Sequence, residues 1–164
     1  MQSKNRFSPR AACATDSFRG VTMLTLSAAL MLAVGAPARA AVTQGVVVAG
    51  KATIAQSGPS TTINQSTAKV AINWESFSIP AGQTVRFAQP DSHSVALNRV
   101  IGSDPSVILG NLAANGQVFL INPNGILFGR GSSVNVGGLV ASTMAISDAD
   151  FMAGRYAFTG AGRG

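Results

Sequence analysis

The chain contains 164 residues, of which 46% are hydrophobic and 11% are charged, and its formal net charge at pH 7 is +6. Most of that charge belongs to the first 40 residues, because residues 41–164 hold seven basic and five acidic side chains, a net charge of +2. A charge this small, carried by basic residues that stand singly, removes the main support for nucleic-acid binding. We therefore expect those basic side chains to be solvated.

The first 40 residues show, in order, the features of a secretory signal peptide with an extended basic leader. Residues 1–20 are polar and basic, Val21–Val34 is apolar, and Gly35 and Pro37 precede Ala38-Arg39-Ala40. This order predicts export by the Sec machinery, with Ala38 and Ala40 marking the cleavage site. The apolar run of about 14 residues is shorter than the roughly 20 that a membrane-spanning helix needs.

Cysteine usage limits the chemistry of the exported part. The single cysteine, Cys13, lies in the predicted leader. Residues 41–164 therefore offer no disulfide framework and no thiolate metal site. Stability must come from side-chain burial and backbone pairing.

From Ala41 onward the sequence predicts short β-strands separated by turns. The turns contain Gly-Pro, Asp-Pro, Asn-Gly and similar pairs. A single helical turn is predicted within Met144–Met152. The predicted strands are Val46–Val48, Ala52–Ala55, Thr61–Asn64, Lys69–Trp74, Thr84–Ala88, Ser94–Val100, Val107–Leu112, Gln117–Ile121, Ile126–Phe128 and Val134–Val136.

Short strands at this density fit a sandwich, a small barrel or a β-solenoid. Apolar triplets at 85–87, 107–109 and 119–128 suggest a coil of about 20 residues. Asparagines recur at apparent corners, where their amides could hydrogen-bond between coils. These are Asn98, Asn111, Asn115, Asn122, Asn124 and Asn135. The spacing is irregular, so the residues alone leave solenoid and sandwich open.

The segment Asn122–Ile126 predicts a tight corner between two apolar strands. Pro123 fixes its own φ, and Asn124 and Gly125 are residue types that tolerate the left-handed region. Elsewhere, Trp74 and Phe77 are expected to fill the first coils or their cap. Arg99 is expected either to pair with an acid or to project toward a partner.

Four segments together carry a family resemblance, and they cover nearly all of the chain after the leader. The segments are INWESFSI (72–79), VRFAQPDSHSVALNRVIG (85–102), ILGNLAANGQVFLINPNGILFGRG (108–131) and GGLVASTMAISDADFMAGRYAF (137–158). In these segments the chain resembles the N-terminal secretion domain, also called the haemagglutination activity domain, of the filamentous haemagglutinin family. These are the exoproteins of two-partner secretion systems. NPNGI at 122–126 matches the signature motif, and ALNRV at 96–100 matches a frequent companion.

The resemblance implies an all-β fold, a right-handed parallel β-helix with an N-terminal cap, over residues 41–164. It also implies a secretion signal recognised in the periplasm by an outer-membrane transporter with periplasmic repeats. Residues expected to serve recognition or the secretion motif are Asn122, Pro123, Asn124, Gly125, Ile126, Asn98 and Arg99. The protein would pass through the periplasm and become secreted or cell-surface. Replacing Asn122 or Asn124 with isoleucine is expected to impair secretion.

The same resemblance implies that the chain is the front of a longer exoprotein, an adhesin, haemagglutinin or contact-dependent toxin. Contacts with host or neighbouring cells would then reside in downstream regions. One departure is that some relatives carry a second motif, Asn-Pro-Asn-Leu, where this chain reads Ile63-Asn64-Gln65-Ser66. No role of that second motif transfers to this chain.

Other function classes receive less support from the residues. The acids after the leader are scattered and His93 has no second histidine, so we expect no catalytic, metal or cofactor site. The alternative to a secretion signal is a directly adhesive β-helix that binds a glycan or receptor. The scattered acids are Glu75, Asp91, Asp104, Asp148 and Asp150.

Overall fold

The computed structural model describes residues 42–160. The expected leader, with Ala38 and Ala40, lies outside the described residues. The described part contains 14 strands and one short helix. They are β1 Val42–Thr43, β2 Val46–Ala49, β3 Ala52–Ser57, β4 Ser60–Gln65, β5 Lys69–Trp74, β6 Ser76–Phe77, β7 Thr84–Ala88, β8 Val95–Val100, β9 Ser106–Ile108, β10 Asn111–Ala114, β11 Gln117–Ile121, β12 Ile126–Phe128, β13 Ser133–Asn135, β14 Gly138–Ser142 and α1 Asp148–Met152.

The strands wind into a parallel β-helix of about four coils, which confirms the expected fold class. Sheet I has the order β13-β10-β7-β4-β3, and sheet II has the order β14-β11-β8-β5-β2. Sheet III pairs β12 with β9, and a single bridge joins Ile79 to Ile108. All pairs between successive coils are parallel, so each coil presents its backbone to the next.

An N-terminal cap covers the first coil. Within it, β1 pairs with β6, β2 with β5 and β3 with β4, and all three pairs are antiparallel. Trp74 and Phe77 are buried beneath this cap, with their rings edge-to-face at 5.7 Å. Their expected role in filling the first coils is thereby confirmed. The cap occupies the strand edges that the first coil would otherwise expose.

The interior of the β-helix is built by alternating side chains of the stacked strands, as the two-residue period of a strand requires. On sheet II, Val70, Ala96 and Val118 lie in register, and on sheet I Val85 and Leu112 do the same. All five are buried. The hydrophobic effect of this continuous column is the main stabilising term for a chain segment without disulfides.

Three sequence-based expectations about the coils are wrong. Val107–Leu112 is not one strand, because the chain turns at Leu109-Gly110 between sheets III and I. Both backbone amides at this turn donate to the Ile79 carbonyl, at 2.7 and 2.9 Å. A Cβ on Gly110 would lie 2.3 Å from the Gln83 carbonyl oxygen, so only glycine fits there.

The second error concerns the apolar triplets, which do not all occupy equivalent positions in successive coils. Residues 85–87 lie on sheet I, 107–109 on sheet III and 119–121 on sheet II. Residues 107 and 108 do lie in register with 127 and 128 of the adjacent coil, whereas the triplets at 85–87 and 119–121 pair with other residues. Coils of unequal length obscured the repeat in the sequence, since Ser60, Thr84, Asn111 and Ser133 are the equivalent positions.

The third error is the placement of Asn98 at a corner, because it lies inside β8. The expected hydrogen bonds between coils do form at corners. The Gln89 backbone exchanges two bonds of 2.8 Å with the Asn115 side chain, and Gln89 Nε2 donates to Gln65 Oε1 at 3.1 Å. This polar corner spans three coils, and its glutamines are as important as its asparagine.

One interior hydroxyl has no partner, which gives a direct test of the core. Thr61 Oγ1 is buried and makes no hydrogen bond to the described residues. Thr61→Val is expected to raise the free energy of unfolding by about 1 kcal/mol, because it removes an unsatisfied buried polar group at constant shape. Thermal unfolding should show a midpoint about 4 °C higher. The partly exposed neighbour Thr62→Val is the control, and a loss of stability for Thr61→Val would contradict this account.

No helix within residues 42–160 is both long and apolar enough to cross a membrane.

Candidate functional site

Residues 122–125 form a hydrogen-bonded turn that connects β11 to β12. The Gly125 amide donates to the Asn122 carbonyl at 3.1 Å, which closes the turn. Gly125 has φ +107°, whereas the only described non-glycine residue with positive φ is Gln44. Of the two residues that tolerate left-handed geometry, Gly125 has positive φ and Asn124 does not. A type I turn favours asparagine at its first position, proline at its second and glycine at its fourth. Such a turn needs no positive φ at its third residue.

The Asn122 side chain is the centre of this corner and is 0% exposed. Its Nδ2 donates to the Asp104 carbonyl at 3.0 Å and to Ser106 Oγ at 2.9 Å. Its Oδ1 accepts from the Asn124 amide at 2.9 Å. Burial without these bonds would be costly, so the side chain fixes the corner to the preceding coil.

Backbone and amide bonds extend the corner to its neighbours on both sides. The Asn122 amide donates to the Ser142 carbonyl at 3.0 Å in the following coil. Asn124 Nδ2 donates to the Gly102 carbonyl at 2.9 Å in the preceding coil. Pro123 and Asn124 are exposed, while Gly125 and Ile126 are partly buried. Of the expected recognition motif, only the tip at Pro123 and Asn124 is open to solvent.

Asn98, another of the predicted recognition residues, is also buried and has an exposed fraction of 0%. Asn98 Oδ1 accepts from Trp74 Nε1 at 2.9 Å, and Nδ2 donates to the Ala96 and Phe119 carbonyls at 3.3 and 3.4 Å. The side chain thereby joins three successive coils inside the core. In this fold it is not accessible to a partner.

Arg99, the neighbour of Asn98, faces the opposite side of the same strand. Its guanidinium donates to Asp148 Oδ1 at 2.7 Å, to the Ile146 carbonyl at 2.7 Å and to Asn73 Oδ1 at 3.1 Å. The expectation that Arg99 pairs with an acid is confirmed. The acid belongs to a segment that follows the last coil.

That segment, residues 145–159, is here called the strap. Its ends meet, because the Ala145 and Thr159 backbones exchange hydrogen bonds of 2.9 and 2.8 Å. A loop whose ends are close and whose own side chains pack it is an Ω-loop. The strap covers the outer face of sheet II, and no strand among residues 42–160 pairs with the outer edges of β12, β13 and β14.

The strap is held by apolar and polar contacts to sheet II. Phe119 lies 5.9 Å from Phe151, 4.9 Å from Tyr156 and 6.3 Å from Phe158, between ring centroids. Lys69 Nζ donates to the Phe151 and Met152 carbonyls at 3.2 and 3.1 Å, at the C-terminal end of the short helix α1. Lys69 Nζ also lies 5.7 Å from the Tyr156 ring centroid.

With this geometry established, comparison with known proteins decides the family. A family model described as the TPS (two-partner secretion) secretion domain matches residues 36–162. The chain belongs to this family. The match spans the cap, all four coils and the strap.

Two kinds of relative agree with this membership. A heme/hemopexin-binding protein of Haemophilus influenzae strain Rd is 47% identical over 97 residues, and a second one from Haemophilus influenzae is 45% identical over 98. These alignments cover 59% and 60% of this chain but 11% of either relative. The crystal structure of the HMW1 secretion domain from Haemophilus influenzae superposes with a TM-score of 0.69 at 39% identity, covering 71% of this chain and 31% of that chain.

The strap of this TPS domain begins with a capping interaction that makes its stability depend on pH. Ser147 caps α1: its Oγ accepts from the Asp150 amide and donates to Asp150 Oδ2 at 2.7 Å. This hydrogen bond, followed by the one from Arg155, lowers the pKa of Asp150 below the usual 3.8. A hydrogen bond from Ser94 likewise lowers the pKa of Asp91.

Because the folded-state pKa of Asp150 is lowered, its contribution to stability is present above the unfolded-state value and disappears as pH falls through the folded-state value. Asp150→Asn is therefore expected to destabilise the TPS domain above about pH 5 and to have no effect well below pH 3. Urea unfolding of both proteins across this range measures the difference. A difference that is independent of pH would contradict the assignment.

Several residues that hold the TPS domain's corner and strap were not predicted as such from the sequence. Lys69 was expected to be a solvated cation, yet it binds the strap. Arg99 was expected to pair with an acid or to face a partner, but the sequence did not indicate that the acid would be Asp148 of the strap. Ser106 and the carbonyls of Gly102 and Asp104 receive the corner's amides. These groups contact the motif only because they lie in adjacent coils, and no local sequence pattern indicates that contact. His93 is exposed, and residues 42–160 contain no group of three or more metal-ligating side chains.

Proposed function

We propose that residues 42–160 are the export signal of a two-partner secretion exoprotein, recognised by its cognate outer-membrane transporter. The single observation that supports this most is the NPNG corner of a TPS domain, hydrogen-bonded to the coils on both sides of it. The leader would direct passage through the inner membrane by the Sec machinery, with cleavage after Ala40. The protein would then cross the periplasm and reach the outside as a secreted or cell-surface product.

We also propose that the folded domain templates the coils that follow it. The last strands β12, β13 and β14 have no described strand on their outer edge. The inward-facing side chains of Val134 and Leu139 in the last coil are exposed. An open apolar end with unpaired backbone groups favours the addition of another strand.

The strap also supports the addition of new coils at the end formed by β12, β13 and β14. Because Ala145 and Thr159 pair, the chain leaves the β-helix after β14 and returns to nearly the same place. Residues after the strap would therefore start beside the open end. Coil-by-coil folding outside the cell would bias export without ATP at the outer membrane, since each added coil gains backbone pairing and burial.

The activity of a whole exoprotein is a separate matter, because this chain spans 11% of the curated relatives that it matches. Those relatives are described as binding heme and hemopexin. In the longer protein we propose here, adhesive or toxic activity and contact with host or neighbouring cells would reside downstream. The signal domain itself would perform no catalysis.

Export from a bacterium that carries the cognate two-partner secretion transporter tests the proposal. The full chain should appear in the medium or on the surface only when that transporter is present, with Ala41 as its first residue. Accumulation in the periplasm without the transporter is the expected control result. Export that is independent of the transporter would overturn the proposal.

Direct adhesion is the competing function, and binding assays separate the two. The purified domain should bind the periplasmic region of the transporter and should not bind glycan arrays or cell surfaces. Binding to glycans or cells alone would favour the adhesive module instead.

A further inference from the structure

The three outer faces of the β-helix differ in chemistry. On sheet I the outward-facing residues Thr62, Arg86, Ala113 and Asn135 lie in register from coil to coil. Most of these positions are polar and all are partly or fully exposed. This face is suited to water, and it offers no apolar surface to a partner.

The outer face of sheet II is apolar but already covered. Ala71, Leu97 and Phe119 lie in register and are buried beneath the strap. Arg99 and Lys69 fix the strap in place. In the folded domain this face is occupied by the chain itself.

The outer face of sheet III is apolar and has no cover among residues 42–160. Leu127 pairs with Val107 on this face and is 57% exposed, and Ile101, before β9, is 62% exposed. Leu109 is also exposed, and its Cδ2 lies 2.3 Å from where a Cβ on Gly129 would be, so the glycine makes room for it. We call Ile101, Val107, Leu109 and Leu127 the sheet III strip.

A negatively charged groove runs beside the strip and shares Val107 with it. The groove has a volume of about 690 Å³ and is lined by Glu75, Asp104, Ser76, Ser78 and Ser103, among others. Within residues 42–160 the ion pairs are Arg99 with Asp148 and Arg155 with Asp150. Glu75 and Asp104 therefore present negative charge that no described cation neutralises.

We propose that the sheet III strip and its acidic groove are the surface that binds the transporter. The segment it fits is an apolar stretch of the transporter's periplasmic region flanked by lysine or arginine. Apolar side chains would cover Leu127 and Ile101, and the flanking cations would face Glu75 and Asp104. This inference rests on the proposed function, and it specifies the face that serves it.

In this proposal the NPNG corner contributes to transporter recognition indirectly. Loop 101–105 carries both Ile101 of the strip and Asp104 of the groove. Asn122 and Asn124 hold this loop through the Asp104 and Gly102 carbonyls. Asn122 is thus a positioning residue, and its loss would displace the surface that the partner contacts.

Binding of the purified full chain to the periplasmic region of its cognate transporter tests the surface. The double variant Ile101→Asp/Leu127→Asp should weaken binding at least about tenfold. Asp104→Lys should also weaken binding, and added salt should weaken wild type more than Asp104→Lys. Asn135→Asp on sheet I is the matched control and should change the affinity less than twofold.

A crosslinking experiment distinguishes loss of the binding surface from loss of binding because an aspartate variant has unfolded. The only cysteine, Cys13, lies in the leader, so Leu127→Cys and Asn135→Cys can each carry one photocrosslinker in the chain from which the leader has been removed. The label at position 127 should crosslink to the transporter region, and the label at position 135 should not. The reverse pattern, or aspartate variants that bind like wild type while wild type binds, would overturn this inference alone. Failure of wild type to bind would overturn the proposed function as well.

Discussion

Asn122→Ala is expected to lower the free energy of unfolding by about 3 kcal/mol and to abolish export. The substitution leaves the Asp104 carbonyl, the Ser106 hydroxyl and the Asn124 amide without their buried partner. Each unsatisfied buried group costs on the order of 1 kcal/mol or more. Chemical denaturation followed by Trp74 fluorescence measures the stability, and secretion with the cognate transporter measures the function.

Asn124→Ala is the matched control for this prediction. Asn124 is exposed, and the substitution removes its amide bonds to the Gly102 carbonyl and to Asn122 Oδ1 while keeping its backbone bond to Asn122. A loss below about 1 kcal/mol is expected, because exposed polar groups regain bonds to water. Equal effects of the two variants on stability would contradict the central role of Asn122.

Asn98→Leu is expected to destabilise the domain by about 2 kcal/mol despite its similar size. Leucine cannot accept the hydrogen bond from Trp74 Nε1, which is buried where no water can replace the partner. Denaturation followed by circular dichroism measures the change. The same variant tests whether Asn98 acts inside the core, because a residue needed only for partner contact would leave stability unchanged.

A double-mutant cycle isolates this bond. Trp74→Phe removes the donor, so adding Asn98→Leu to it should cost about 1 kcal/mol less than adding Asn98→Leu to wild type. Additive effects would mean that the contact of 2.9 Å contributes little and that the asparagine acts only through its bonds to Ala96 and Phe119.

The sequence was informative wherever a local rule decides the structure. Lys69–Trp74, Thr84–Ala88, Gln117–Ile121 and Ile126–Phe128 are observed as predicted, because β-rich segments end at Gly, Pro and Asn turns. The NPNG corner is likewise local, since Pro123 and Gly125 need no distant contact to turn the chain. The choice of a β-helix over a sandwich came from the family resemblance.

Predictions from local sequence were wrong where the structure depends on contacts between residues of different coils. Val107–Leu112 was predicted as one apolar strand, yet the Leu109 and Gly110 amides both donate to the Ile79 carbonyl, about 30 residues earlier, and the strand ends there. Asn98 reads as a corner residue, yet the alternation of β8 turns it toward Trp74. Lys69 was expected to be solvated, and the acid that pairs with Arg99 was not identified, because no residue near either of them in sequence indicates a strap at residues 145–159.

The sequence by itself thus determined the strands, the turn chemistry of the corner and membership of the TPS family. Tertiary structure alone decided that Asn122 and Asn98 are buried, that Arg99 holds the strap, and that one apolar face stays open. The physical reason is that strand and turn preferences act over a few residues. The burial of a side chain depends on the register between coils, which brings together residues 20 or more positions apart.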